Sequence, residues 1–247
     1  MEKQLEHDTI VPFKDSSLSK KQQVARMFDS IAFRYDFMNR FLSGGIDIYW
    51  RKRAIRELAE AKPKFVLDVA TGTGDIAILM YKYLKPDKIT GIDLSEGMLQ
   101  LGRQKIAKLH LSDRIELLQG DSEIIDFQDN MFDAITVAFG VRNYENLNKG
   151  LKEMHRVLRP GGKVVILEFS KPRKGLRGLY NLYMKVVAPV AGRLVSKNRE
   201  AYQYLNDSVL AFPEGDSFLK IMNETGWKRT YLKKLSLGIC TIYCGYK

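Results

Sequence analysis

The residues best placed to do chemistry cluster between positions 65 and 143. The run 65-FVLDV-69 holds an acid, Asp68, inside an apolar stretch and leads into 70-ATGTGD-75, where Gly72 and Gly74 flank Thr73. Glycines at this spacing let the backbone approach a ligand that a Cβ would obstruct, and such a turn suits a nucleotide-like group. Asp93, nineteen residues after Gly74, stands where an acid receives ribose hydroxyls. A charge-assisted hydrogen bond there contributes roughly 1.5–3 kcal/mol. The stretch 120-GDSE-123 offers Asp121 and Ser122, an acid and a hydroxyl suited to an adenine amino group. After a fourth apolar run, 139-FGVRN-143 supplies Arg142 and Asn143, able to stabilise a developing oxyanion and to orient a second hydroxyl.

The elements that position these groups are legible from periodicity. Val24, Met27, Phe28, Ile31, Tyr35 and Met38 recur at three- and four-residue steps, so 19–42 reads as an amphipathic helix. From residue 65 short β-rich runs alternate with helices: strands are expected at 65–70, 88–93, 114–119, 132–138 and 163–169, helices near 75–84, 96–109 and 145–158. Ser95 caps the second of these helices, and 159-RPGG-162 stops the third. Alternation of this kind implies βαβ units and a parallel sheet. A further helix in 213–227 precedes two β-runs, 230–237 and 239–246, separated by one glycine. They must form a hairpin, so one of them runs antiparallel to the sheet. The expected architecture is α/β, a doubly wound, mostly parallel seven-stranded sheet. Residues 1–60 form a helical lid, and 61–247 form the main domain with a basic insertion at about 171–212.

The glycine turn alone leaves two ligands open, because 72-GTGDIA-77 satisfies both the dinucleotide fingerprint and the turn that binds S-adenosylmethionine. Three features tilt towards the latter. Asp68 would place negative charge near the ammonium of a methionine moiety, a demand a dinucleotide does not make. The Asp121–Ser122 pair suits adenine. The runs 132-FDAITVAFG-140 and 157-VLRPGGKVVILEFS-170 resemble the fourth and fifth strands of class I methyltransferases.

Four stretches resemble one family, the quinone-biosynthesis C-methyltransferases that act on demethylmenaquinol and on the ubiquinol precursor. The segment 35-YDFMNRFLSGGIDIYW-50 is similar to the signature Y-D-x-M-N-x-x-L-S-x-x-x-H-x-x-W, and 156-RVLRPGGKVVILEFSKP-172 matches a second signature throughout. Between and after them, 139-FGVRN-143 matches F-G-x-R-N, and 202-YQYLNDSVLAFP-213 matches Y-x-Y-L-x-x-S-x-x-x-x-P. The resemblance runs from about residue 20 to the end. It implies a class I fold, S-adenosylmethionine as methyl donor, and cofactor contacts at Thr73, Asp93 and Asp121–Ser122. Two departures stand out: Asp47 replaces the signature histidine, and Ala138 stands where some relatives have serine.

Methylating a quinol carbon requires one ring hydroxyl to be deprotonated or strongly polarised, because a phenol has a pKa near 10 and its phenolate is the better carbon nucleophile. Arg142, Asn143 and Tyr202 are the candidates for that work. Tyr35, Asn39, Trp50 and Tyr204 are candidates for holding the substrate ring.

The net charge is +11, and residues 171–199 hold eight Lys/Arg with no Asp/Glu. Interleaved with apolar residues, that run suits an anionic membrane surface, where a polyprenylated quinol would be collected. The opening MEKQLEHDTIVPF lacks a secretory or transit pattern, and 179–195 is interrupted by Lys185, Pro189 and Arg193, so a cytoplasmic protein, peripheral at the inner face of the membrane, is expected. Cys240 and Cys244 lie about 13 Å apart along a strand, too far for a disulfide, and the scattered His7, His110 and His155 suggest no metal site. An RNA methyltransferase would also use this fold and explain the charge, but it would usually show an N-P-P-Y-type motif after the fourth strand, where 139-FGVRN-143 stands, or a catalytic cysteine motif, whereas both cysteines are in the last strand; no nucleic acid is expected. The residues leave open the menaquinone or ubiquinone series and the oligomeric state, a homodimer included.

Overall fold

In the computed structural model, which describes residues 5–171 and 199–247, two helices precede the sheet: α1 (Lys20–Ser43) and α2 (Ile46–Arg56). Then follow β1 (Phe65–Val69), α3 (Asp75–Leu84), β2 (Lys88–Asp93), α4 (Glu96–Lys108), β3 (Ile115–Gln119), β4 (Phe132–Ala138), α5 (Leu147–Val157) and β5 (Leu158–Phe169). The described chain closes with α6 (Arg199–Ala211), α7 (Asp216–Glu224), β6 (Lys228–Leu235) and β7 (Cys240–Tyr246). Apart from its two end residues, the basic run 171–199 lies outside the described residues.

The strand order is β3-β2-β1-β4-β5-β7-β6. The first five strands pair in parallel, whereas β7 runs antiparallel to both β5 and β6, the arrangement expected of a closing hairpin. The chain moves outward from β1 to β3 and then returns to the other side of β1 with β4. Ligands of open α/β sheets bind at such a switch point, beyond the carboxyl ends of the strands.

Central strands of a parallel sheet are covered on both faces and read as apolar runs. Leu67, Val69, Ile135 and Val137 face one layer with α5 and α7; Val66, Ala134 and Val165 face the other with α2, α3 and α4. Burying each such Leu, Ile or Val side chain contributes roughly 1.5–3 kcal/mol. A third cluster joins Val24, Met27 and Ile31 of α1 to Met98 of α4 and Tyr204 of α6, seating α1 on the rest. Cys240 and Cys244 are free and buried, and burial pushes the Cys244 thiol up to about 11, the state of inert core thiols.

Local sequence sets the ends of these elements. Ser19 and Gln22 form a capping box on α1, and Gly44 ends that helix in the left-handed region. Ser95 accepts from the Met98 N–H at 3.2 Å, the cap expected for α4. At 159-RPGG-162 the outcome differs from expectation. The helix ends at Val157 and β5 begins at once, with a register shift between Phe132 and Ala134 on β4 absorbing the extra residues.

Candidate active site

The glycine turn is strained in a way that exposes backbone. Ala70, Gly72 and Gly74 all have positive φ, at 54°, 57° and 75°. For alanine this region is unfavourable by about 1 kcal/mol or more, and such conformations persist where the surroundings impose them. Phe139, at the end of β4, has φ 59° as well. The two turns abut, since a Cβ on Gly140 would lie 2.6 Å from the Ala70 Cβ. Asp68 holds the first turn from below: its carboxylate accepts from Thr71 Oγ1 and Thr136 Oγ1, each at 2.6 Å. Desolvation pushes this fully buried carboxyl up to about 7 against those two bonds. Both oxygens are engaged inside the protein, so Asp68 supports the turn and does not face the cleft.

That cleft lies beyond the ends of β1, β2, β3 and β4 and beneath α1, and spans about 690 Å³ with the open solvent at its mouth included. Of the residues expected at a cofactor, Gly72, Asp93, Asp121 and Ser122 line it; of those expected at a substrate or at the chemistry, Tyr35 and Asn143 do. Asp93 accepts from the N–H groups of Gly72 at 2.8 Å and Ser95 at 2.9 Å. Burial raises its pKa against those backbone bonds, with Asp29 adding to the rise. Gly72 has open space where a Cβ would stand, so a ligand can reach its backbone. The phenol oxygen of Tyr144, a cleft residue that is 5% exposed, is buried against Ser122. A fixed carboxylate at a ribose position, an acid with a hydroxyl at a base position, and a buried phenol beside that hydroxyl fit an adenosyl group.

Thr73 and Gly74 lie behind the turn and not on the lining. Thr73 Oγ1 donates to Asp36 Oδ1 at 2.7 Å and accepts from Lys105 Nζ at 2.9 Å. Gly74 packs against Leu117 and Ile106.

The third wall comes from 139-FGVRN-143. Arg142, 4% exposed, donates to Glu168 Oε1 at 2.7 Å and to the Phe139 carbonyl at 2.6 Å. The guanidinium therefore pins the turn and is not presented to the cleft; its Nε is buried without a partner. Asn143 does reach the cleft, and its Oδ1 accepts from the Tyr204 hydroxyl at 3.2 Å. Burial, opposed by Arg142 and reinforced by Glu168, pushes the Tyr204 phenol above its ordinary pKa. Tyr204 is thus a neutral donor behind Asn143. Tyr202 lies on α6, but its side chain is outside the described residues. Trp50 is buried with its Nε1 donating to Ser236 at 2.8 Å and packs edge-on against Phe139 and Phe169; it backs the wall, off the lining. Asn39 is half-buried on α1 and also off the lining.

The roof is α1, held by charge at three levels. Lys21 Nζ donates to Asp121 at 2.7 Å and lies 3.4 Å from Glu123 and 3.9 Å from Glu145; burial opposes its charge, but Asp121 and Glu123 raise its pKa. Asp29 accepts from Ser95 Oγ at 2.6 Å and from the Gly97 N–H at 2.9 Å, both at the start of α4. Asp36 and Arg40 engage Lys105, Asp75 and Thr73. Burial works against the Asp75 charge, yet Arg51, Lys105 and Arg40 hold its carboxyl below the ordinary value. Lys21, Glu123, Tyr144 and Glu168 escape sequence reading: each has a partner more than twenty residues away, and no spacing rule joins them. Among the described residues no group of His, Cys, Asp and Glu is arranged to hold a metal ion, and no helix is long and apolar enough to cross a membrane.

Residues 16–247 match the model of the ubiE/COQ5 methyltransferase family. A demethylmenaquinone methyltransferase of Bacteroides fragilis is 44% identical over 97% of this chain and 98% of its own length. A ubiquinone/menaquinone biosynthesis C-methyltransferase of Geotalea daltonii is 49% identical over 92% and 97%. Among solved structures, a possible histamine N-methyltransferase from Thermotoga maritima superposes with a TM-score of 0.63 at 17% identity, covering 90% of this chain and 99% of its own. A phosphoethanolamine N-methyltransferase of Haemonchus contortus, solved with S-adenosyl-L-methionine, gives 0.65 at 16% identity over 95% and 61%. At these identities the structural likeness establishes the fold, that of class I S-adenosylmethionine-dependent methyltransferases.

Proposed function

We propose the reaction from one premise: the chain belongs to the ubiE/COQ5 methyltransferase family. It is an S-adenosylmethionine-dependent C-methyltransferase acting on a quinone-type ring in menaquinone or ubiquinone biosynthesis. Within that activity the substrate we favour is demethylmenaquinol, converted to menaquinol. The relative from Bacteroides fragilis, similar over nearly the whole of both chains and named for demethylmenaquinone, supports this choice; the equivalent ubiquinone precursor is the second reading, supported by the relative from Geotalea daltonii.

The cleft carries the proposal, because it offers a nucleoside site and a ring site end to end under one roof. When bound, S-adenosylmethionine supplies an electrophilic methyl group. Asp93 would accept from the ribose hydroxyls, and Asp121, Ser122 and Tyr144 would surround the adenine. Tyr35, Phe28 and Phe139 give the other end apolar and aromatic walls suited to a naphthoquinol. Asn143 would orient a ring hydroxyl, with Tyr204 and the Arg142–Glu168 pair holding its amide in place. Tyr202 remains a candidate for relaying the proton. Under α1 the ring and methyl are held together away from water, and orientation of that kind can supply several kcal/mol of the barrier. The unprenylated end of the reaction happens in the cleft, while the isoprenoid tail lives in lipid. We place collection of the substrate at an anionic membrane surface, with the basic run 171–199 as one contact.

Incubation with methyl-labelled S-adenosylmethionine and paired quinols, one demethylmenaquinol and one ubiquinol precursor, tests this. Label on the ring carbon of the first supports the reading, and label only on the second moves the enzyme to the ubiquinone branch. Label on neither, with saturable binding of NADH, overturns it.

A further inference from the structure

We propose that the outward face of the α1–α2 hairpin is a second membrane contact, in which a row of phenylalanines enters the headgroup layer of an anionic bilayer. The inference rests on the reading that the substrate is lipid-tailed. Phe33, Phe37 and Phe41 are 89%, 62% and 40% exposed, and Ile46 and Tyr49 of α2 extend the patch at 40% and 49%. The three phenylalanines repeat every four residues, so they form a single stripe about 12 Å long on α1. Phe37 and Phe41 stack at 6.1 Å between ring centroids. None of them is needed to seat the helix, which uses Val24, Met27, Ile31 and Met38 on its opposite side. A contiguous exposed patch of this size marks an interaction surface.

Charge selects the occupant. Among charged residues of 20–56, the exposed ones are Arg26, Arg34, Arg56 and Asp29, and Asp29 is taken up by the start of α4. With Arg26 two turns before Phe33 on the same stripe and Arg34 next to it in sequence, this face matches an interfacial helix resting on anionic lipid. A second copy of the chain packed on this face about a two-fold axis would offer these arginines the same face again, with no exposed acid but Asp29. The segment 172–198, with six Lys/Arg and no acid, would be repelled in the same way. The placement also serves the chemistry. The inner side of the same helix carries Tyr35 and Phe28 into the cleft, so a docked α1 brings the roof of the cleft to the lipid surface.

Full-length protein is mixed with vesicles of phosphatidylcholine containing phosphatidylglycerol, and compared with a variant carrying Phe33→Ser, Phe37→Ser and Phe41→Ser. Taking about half of full burial for each of three rings, vesicle partition of the variant should fall by roughly fortyfold or more. The part of binding that survives high salt should be lost, while turnover of a tail-less quinol stays at the parent level. A Phe37→Cys variant carrying an environment-sensitive dye should brighten only when vesicles are added; Cys240 and Cys244 are buried and do not compete for the label. Equal partition of parent and triple variant overturns the proposal. So does a dye already buried without lipid, whether it is released on dilution, as for a second copy, or is independent of concentration, as for a segment of the same chain. Absence of tail-less turnover in both proteins would count against the quinol reading and leave the vesicle result standing.

Discussion

Asp68→Asn isolates one buried charge beneath the glycine turn. The carboxyl sits at an ordinary value of 3.8 in the unfolded chain and is pushed up to about 7 in the fold. A group with a raised folded value contributes most below its unfolded value, and that contribution is lost as pH rises through the folded one. At about 1.4 kcal/mol per pH unit, ionised Asp68 destabilises the native state by ~4 kcal/mol at alkaline pH relative to acid, and more than half of that change falls between pH 5 and pH 8. Asparagine keeps the shape, accepts from one threonine hydroxyl, and donates to the other, which can turn its lone pair. The variant should therefore lose this component of the pH dependence and become the more stable protein at pH 8. Urea unfolding at several pH values measures both, and the difference between the two curves cancels titrations elsewhere that do not couple to Asp68. Parallel stability curves for parent and variant would show that Asp68 is not neutralised by burial and that the reasoning is wrong.

Asp93→Ala removes the cleft carboxylate and should weaken S-adenosylmethionine binding ten- to hundredfold, following roughly 1.5–3 kcal/mol for a charge-assisted bond; calorimetry with unchanged affinity would refute the assignment. Arg142→Ala strands Glu168 in the interior and should cost about 3–5 kcal/mol of stability, with turnover falling more than cofactor affinity. Adding Glu168→Gln should restore stability and not turnover, and a double variant as active as the parent would reduce Arg142 to a packing role. Replacing Arg173, Lys174, Arg177 and Lys185 by glutamine should lower pelleting with anionic vesicles, by about 1 kcal/mol for each charge near the surface, while sparing turnover of a tail-less quinol; equal pelleting would mark the run as an ordinary solvated segment.

Strand and helix positions were legible because they are periodic. Apolar runs mark β1, β2 and β4, and Gly238 marks the hairpin. The boundary at Leu158 was not, because a bulge at 159-RPGG-162 lets proline and glycine sit inside a strand. At the site, residues contributing through the backbone turn or a strand end, Gly72, Asp93 and Asp121, fell where spacing put them. Those whose role depends on which way the side chain turns did not: Arg142 faces Glu168, Thr73 faces Asp36, and Asp68 faces two threonines. Spacing specifies where a Cα goes, whereas the direction of a side chain follows from partners brought in by the fold, twenty-six residues away for Glu168.

The same distinction resolves the departure at position 47. A carboxylate in place of the signature histidine suggests a lost imidazole function, but Asp47 does not line the cleft. It is 3% exposed, accepts from Ser43 Oγ at 2.8 Å, and pairs with Arg40 and with Arg51 Nε at 3.5 Å. Arg40 then continues to Asp75 at 2.9 Å, in the first turn of the helix after the glycine turn. Two guanidinium groups converge on this point, and a neutral imidazole offers them one acceptor nitrogen where the carboxylate offers two charged oxygens. Asp47 therefore completes a chain of alternating charge from the α1–α2 corner to α3. The substitution bears on how firmly α1 is held over the cleft, and Asp47 itself stays off the cleft lining.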